Sequence, residues 1–126
     1  VEESFAAIPR WHPRVRRVLP VAMRRWRRAP WQREVRTQWQ LFVKTLRSET
    51  YDAVIDTQGL LKSAWLARQA LGIRHGLDWA SSREPLGWLY DRTYAVPCGR
   101  HAVVRHRDLA AQALGYQPAP VVARGR

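Results

Sequence analysis

The clearest pattern in the chain runs from Tyr51 to Gly72. Ala53-Val-Ile55 is apolar without polar alternation, which predicts a short strand covered on both faces. Asp56-Thr-Gln-Gly59 then interrupts with turn-forming residues. Beyond it Leu60, Leu61, Ala64, Ala67 and Leu71 recur at helical spacing, and Gly72 is expected as the C-cap. Strand, polar turn and helix make one βα unit of a parallel sheet. Ligands of such sheets bind beyond the carboxyl ends of the strands, so Asp56, Thr57 and Gln58 are expected on the working edge.

Other stretches extend this reading. Gln32 to Glu49 predicts a helix with Val35, Trp39, Phe42, Val43 and Leu46 inward and Arg33, Arg36, Gln40, Lys44 and Arg47 outward. Ile73 to Leu77 reads as the next short strand, and Tyr94 to Pro97 as a further extended run. His101 to Leu114 predicts an amphipathic helix with Val103, Leu109, Ala110, Ala113 and Leu114 inward and Gly115 as the stop. Ser81-Ser-Arg-Glu-Pro-Leu86 has the serine, glutamate and proline of a helix entrance. Near the start, Val1–Glu3 fits the end of a strand, Phe5–Ile8 one helical turn stopped by Pro9, and Arg14–Leu19 a short strand. The chain is therefore expected to enter an α/β sheet part-way through, as one domain or one piece of a domain.

Charge adds a partner class to this picture. Net charge is +12, and of 22 basic residues only Lys44 and Lys62 are lysines. Arginine binds carboxylates and phosphates bidentately, so an anionic partner is expected, although a codon-biased genome also enriches arginine. The densest run, Met23-Arg-Arg-Trp-Arg-Arg-Ala-Pro-Trp31, has three readings: a solvated loop, a clamp in which Arg24, Arg25, Arg27 and Arg28 grip phosphates, or a membrane-surface patch. Arg83 opposes the positive end of its predicted helix, which points to an anion, or else to an ion pair with Glu84. His101 and Arg105 stand one turn apart at a helix N-terminus, where anions bind, although a lone histidine there also serves simply as a cap.

Several chemistries lack their signatures. No G-x-G-x-x-G, Walker loop or G-x-S-x-G occurs, and the four histidines do not fall at zinc-ligand spacing. No stretch reaches the ~18 apolar residues of a membrane span. The single cysteine, Cys98, excludes an internal disulfide and is compatible with a reducing compartment. Residues alone thus predict an anion-binding α/β domain.

A resemblance sharpens this. Ile8-Pro-Arg-Trp-His12, Arg16-Arg-Val-Leu-Pro-Val-Ala22, Arg24-Arg-Trp-Arg-Arg28, Tyr51-Asp-Ala-Val-Ile-Asp56, Gln58-Gly-Leu60, Lys62-Ser-Ala64, His75-Gly-Leu-Asp-Trp79, Arg83-Glu-Pro-Leu86 and His101-Ala-Val103 occur in that order. Together they resemble the N-terminal domain of the heptosyltransferases of glycosyltransferase family 9. The resemblance implies a Rossmann-like parallel sheet with flanking helices, a partial N-terminal domain of a GT-B glycosyltransferase. Residues 1–118 would form this acceptor-binding part, and 119–126 a basic, proline-containing tail or the start of an interdomain segment.

The implied reaction is inverting transfer of L-glycero-D-manno-heptose from ADP-heptose to Kdo of Kdo2-lipid A, in lipopolysaccharide inner-core synthesis. The implied acceptor residues are Arg24, Arg25, Arg27, Arg28, Arg83, His101 and Arg105, with Gln58 added from its place at the strand end. No metal or cofactor is expected. The family's general-base aspartate would precede Val1, the domain holding most of the ADP-heptose would follow Arg126, and this piece alone would be inactive. Asp56 belongs to a different strand and is not that base. The implied location is cytoplasmic, peripheral on the anionic inner membrane. Against the resemblance stands a basic module that binds nucleic acid or a membrane surface without catalysis, but no recognition helix, zinc finger or stacking signature accompanies the charge.

Overall fold

The computed structural model of the chain describes residues 1–118; the expected tail at 119–126 lies outside the described residues. They fall into two compact units, Val1–Glu49 and one beginning at Thr50.

In the first unit a 3-10 turn, Glu3–Phe5, leads into helix α1, Ala7–Arg10. Pro9 does not stop this helix but lies inside it. In a single turn its missing N–H has no helical acceptor to lose. Arg14–Leu19 forms no strand. Pairing is confined to an isolated parallel bridge between Glu2 and Val21, with Glu3 N–H donating to Val21 O at 2.8 Å and Val21 N–H to Val1 O at 2.7 Å. The charged run is helix α2, Met23–Arg28, not a loop. Helix α3, Arg33–Leu46, follows Gln32 as its N-cap. The predicted stripe is correct: Val35 is buried, Trp39, Phe42, Val43 and Leu46 are half-buried, and all five opposing polar residues are exposed. Trp26 of α2 is buried, its ring nearly perpendicular to that of Trp39 with centroids 5.9 Å apart and its Nε1–H donating to Gln38 Oε1 at 2.8 Å.

The second unit holds the sheet. Strands β1 (Thr50–Ile55), β2 (Leu71–Leu77) and β3 (Arg92–Tyr94) lie in that order, with β1–β2 and β2–β3 both parallel. This is the predicted Rossmann-like arrangement. Helix α4, Leu61–Gln69, crosses between β1 and β2. Gly72 is not its cap. It pairs inside β2 with Tyr51 at φ 149°, where a Cβ would stand 2.4 Å from the Tyr51 carbonyl oxygen. Helix α5, Ala102–Leu114, begins at His101 and ends on Gly115 at φ 72°, as predicted.

Successive residues of β2 face opposite sides of the sheet. Leu77 packs with Val96, Leu109, Ile55 and Tyr94 on the α5 side. Gly76 faces the ring of Tyr90, which belongs to the cluster of Ala64, Leu86 and Leu89. Complete burial of Leu109 contributes about 1.5–3 kcal/mol. On α5, Val103 and Leu114 are exposed rather than inward, and Ala111 is buried in their place.

No α-helix begins at Ser81. The stretch forms turns and a three-residue 3-10 helix, Gly87–Leu89. Its capping groups serve other elements: Ser81 Oγ accepts from Val96 N–H at 2.8 Å, and Glu84 Oε2 accepts from Leu61 N–H at 2.6 Å, at the start of α4. No helix among the described residues is long and apolar enough to cross a membrane.

Candidate functional site

Parallel strands send their following loops to one edge, and in the second unit these loops enclose a cleft of about 240 Å³. Thr57, Gln58 and Leu60 come from the loop after β1, Ser81 and Arg83 from the loop after β2, and Ala102, Arg105 and His106 from the start of α5. Leu77 forms its floor at the end of β2. Three residues singled out from sequence, Gln58, Arg83 and Arg105, therefore meet in one place. Among the described residues no acidic side chain lines the cleft, so no carboxylate competes there for its two guanidinium groups.

Each wall is held by its own contacts. Gln58 N–H donates to Asp56 Oδ1 at 3.0 Å, and Gly59 turns the chain into α4 at φ 63°. Arg105 Nη2 donates to Ser81 O at 2.6 Å and stands 4.0 Å from Cys98 Sγ. Its Nε is buried without a partner among the described residues, a cost of about 1–3 kcal/mol accepted in holding the guanidinium there. Arg83 is exposed and makes no ion pair with Glu84, whose carboxylate is turned to Leu61.

His101 does not line the cleft. Its Nδ1 accepts from Val103 N–H at 3.3 Å, so it serves as the helix cap. His106, which sequence reasoning passed over, takes the place beside Arg105. Counting one turn from His101 missed it because an N-cap lies outside the helical register, whereas positions 102, 105 and 106 share a face.

Asp56 stands at the sheet edge as predicted but is only 6% exposed. Besides the Gln58 N–H, it accepts from Ser63 Oγ at 2.9 Å and Tyr90 OH at 2.6 Å. These bonds occupy both oxygens with donors, leaving none poised toward a reacting group. Burial and the neighbouring carboxylate push the Tyr90 hydroxyl far above its ordinary pKa, so it stays a donor.

The other predicted residues, Arg24, Arg25, Arg27 and Arg28, lie on α2 in the first unit, all exposed. At about 100° per residue they span an arc of about 160° opposite the buried Trp26. Arg25 pairs with Glu3 at 3.4 Å and borders an apolar cavity of about 310 Å³ walled by Leu19, Val21, Leu41 and Phe42.

The chain belongs to a family of glycosyltransferases: residues 38–124 match the model for glycosyltransferase family 9 (heptosyltransferase). Among curated relatives it is 51% identical over 118 residues to lipopolysaccharide heptosyltransferase 1 of Escherichia coli K12, covering 92% of this chain and 37% of that protein. The corresponding protein of Pseudomonas aeruginosa is 54% identical over 118 residues, with 92% and 33% covered. The solved structure of Escherichia coli heptosyltransferase WaaC with ADP matches at a TM-score of 0.90 and 49% identity, over 93% of this chain and 37% of that one. A second structure of that enzyme, with ADP-2-deoxy-2-fluoro heptose, matches equally well. The chain thus spans about a third of the length of the relatives it matches.

Proposed function

We propose that this chain forms the acceptor-holding part of a longer heptosyltransferase, a GT-B enzyme that transfers L-glycero-D-manno-heptose from ADP-heptose to Kdo of Kdo2-lipid A. The observation that carries this reading is the meeting of Gln58, Arg83 and Arg105 at the carboxyl edge of a parallel sheet, in a cleft without acidic lining. Two guanidinium groups suit the carboxylates and phosphates of such an acceptor, and Gln58 suits a sugar hydroxyl. Family membership supports the reaction class. The arginines of α2 would attract further negative charge of the lipid or of the anionic inner-membrane surface, placing the enzyme peripherally on its cytoplasmic face. His101 would act on the acceptor only by capping the helix that carries Arg105 and His106.

In this reading the chain binds and orients, while the reacting groups lie on other segments of the enzyme. The acceptor hydroxyl would displace ADP directly, deprotonated by a carboxylate other than Asp56, with no covalent intermediate and no metal.

Charge reversal tests the assignment. Arg83→Glu in the full-length enzyme should raise the acceptor KM about tenfold or more, the scale of one lost charge-assisted contact, with little change in the KM for ADP-heptose. Equal loss of both would overturn it.

A further inference from the structure

Asp56 has a feature that the acceptor reading leaves unused. A buried carboxylate is costly unless its oxygens are satisfied, and among the described residues no cation does so. All three donors are neutral, and they divide between the two oxygens. Oδ2 takes the hydroxyls of Ser63 and Tyr90, joining the first turn of α4 to the stretch that precedes β3. Oδ1 takes only the N–H of Gln58, closing a turn two residues long. That turn carries Thr57 and Gln58, both of which line the cleft. It is also confined on its far side: a Cβ on Gly59 would already touch Leu77 Cδ1 at 3.4 Å and Ser82 Cβ at 3.5 Å. Gln58 itself is exposed, so no packing of its side chain fixes the loop.

We propose that Asp56 is a positioning residue for the cleft: through Oδ1 it sets the Thr57–Gln58 turn opposite Arg83 and Arg105, without touching the ligand. This rests on the reading of the cleft as the acceptor site. The same carboxylate thus has a stabilising role through Oδ2 and an aligning role through Oδ1, and substitutions can separate the two.

The test is steady-state kinetics with the full-length enzyme, paired with its melting temperature. Asp56→Ala removes both roles and should raise the acceptor KM about tenfold, as misalignment at a binding wall does, with the ADP-heptose KM unchanged. Tyr90→Phe takes a donor from Oδ2 and touches no other bond of the turn. It should lower the melting temperature and leave the acceptor KM where it was. Asp56→Asn keeps an oxygen for the Gln58 N–H and should restore the acceptor KM of the parent. An unchanged acceptor KM in Asp56→Ala, or an equal rise in Tyr90→Phe, overturns the proposal. If Asp56→Ala does not fold, a raised acceptor KM in Asp56→Asn or in Tyr90→Phe still overturns it, and unchanged values in both uphold the division of roles. If Arg83→Glu raises the acceptor KM while Asp56→Ala does not, only this inference fails. If Arg83→Glu leaves it unchanged, the acceptor reading itself fails.

Discussion

His75 sits in the middle strand at 4% exposure, its ring stacked on Tyr94 at 5.8 Å and its Nδ1 2.9 Å from the tyrosine hydroxyl. Burial, then the positive charge of Arg92, lowers its pKa below the ordinary 6.5; Asp91 opposes this more weakly. A histidine kept neutral by the fold makes the unfolded chain the better proton acceptor. Stability is therefore complete above pH about 6.5 and falls as the pH drops below it, by at most about 1.4 kcal/mol per unit. Asp91 adds a separate window. Its hydrogen bonds with Arg74 hold its pKa at about 2, below the ordinary 3.8, so the stability it contributes is present above 3.8 and is lost toward pH 2. Denaturant midpoints measured from pH 8 to 3 should be level to about 6.5 and then decline. In His75→Phe the decline between 6.5 and 5 should shrink, and an unchanged decline there would refute this account of His75.

At the scale of elements, Gly76 decides how β2 fits under Tyr90. Propensity alone favours alanine over glycine in a strand. Yet a Cβ at Gly76 would stand 2.4 to 2.6 Å from three ring carbons of Tyr90, whose hydroxyl is fixed to Asp56. Overpacking outweighs propensity, and Gly76→Ala should destabilise the domain by about 1–3 kcal/mol in denaturant unfolding; a midpoint at or above the parent's would contradict the packing described. Nothing in the chain's periodicity announces this contact, because it depends on a residue fourteen positions away. What the apolar pattern did announce was α3 with its whole stripe, and the presence of β1, β2, α4 and α5; the α4 stripe ran on into β2 at Leu71, and that of α5 put the exposed Val103 and Leu114 inward. Helix α2 escaped because six residues hold one buried aromatic, too few for a period to show. The helix expected at Ser81 failed for another reason. The signature was present, but Val96 and Leu61 claimed the serine and glutamate that would have capped it. In the candidate site, Gln58 and Arg105 were legible as strand-end and helix-start residues; Arg83 reaches it from a loop and not from the helix start on which it was singled out, and His106 needed the helical register that only the observed cap fixes.

For the molecule as a whole, net charge of +12 gives attraction to any polyanion, so affinity alone does not identify a partner. Geometry narrows the choice. On α2 the charge forms one exposed arc, and Trp31, just beyond it, is 73% exposed. A compact basic arc with an exposed aromatic suits a flat anionic interface, where each arginine gains about 1 kcal/mol. A duplex reader would instead require an element shaped to enter a groove, and none was found in the sequence. Arg24 and Arg28 are the informative pair to change, because Arg25 already spends part of its charge on Glu3. Cosedimentation with vesicles containing phosphatidylserine should weaken for Arg24→Glu/Arg28→Glu by at least about thirtyfold in partition coefficient, twice the contribution of one arginine or more, while circular dichroism stays unchanged. Binding of the parent should also fall as salt is raised from 50 to 200 mM, since the interaction is screened over a Debye length. If the double variant partitions like the parent, the arc is a solvated helix face and the membrane-surface reading of α2 fails.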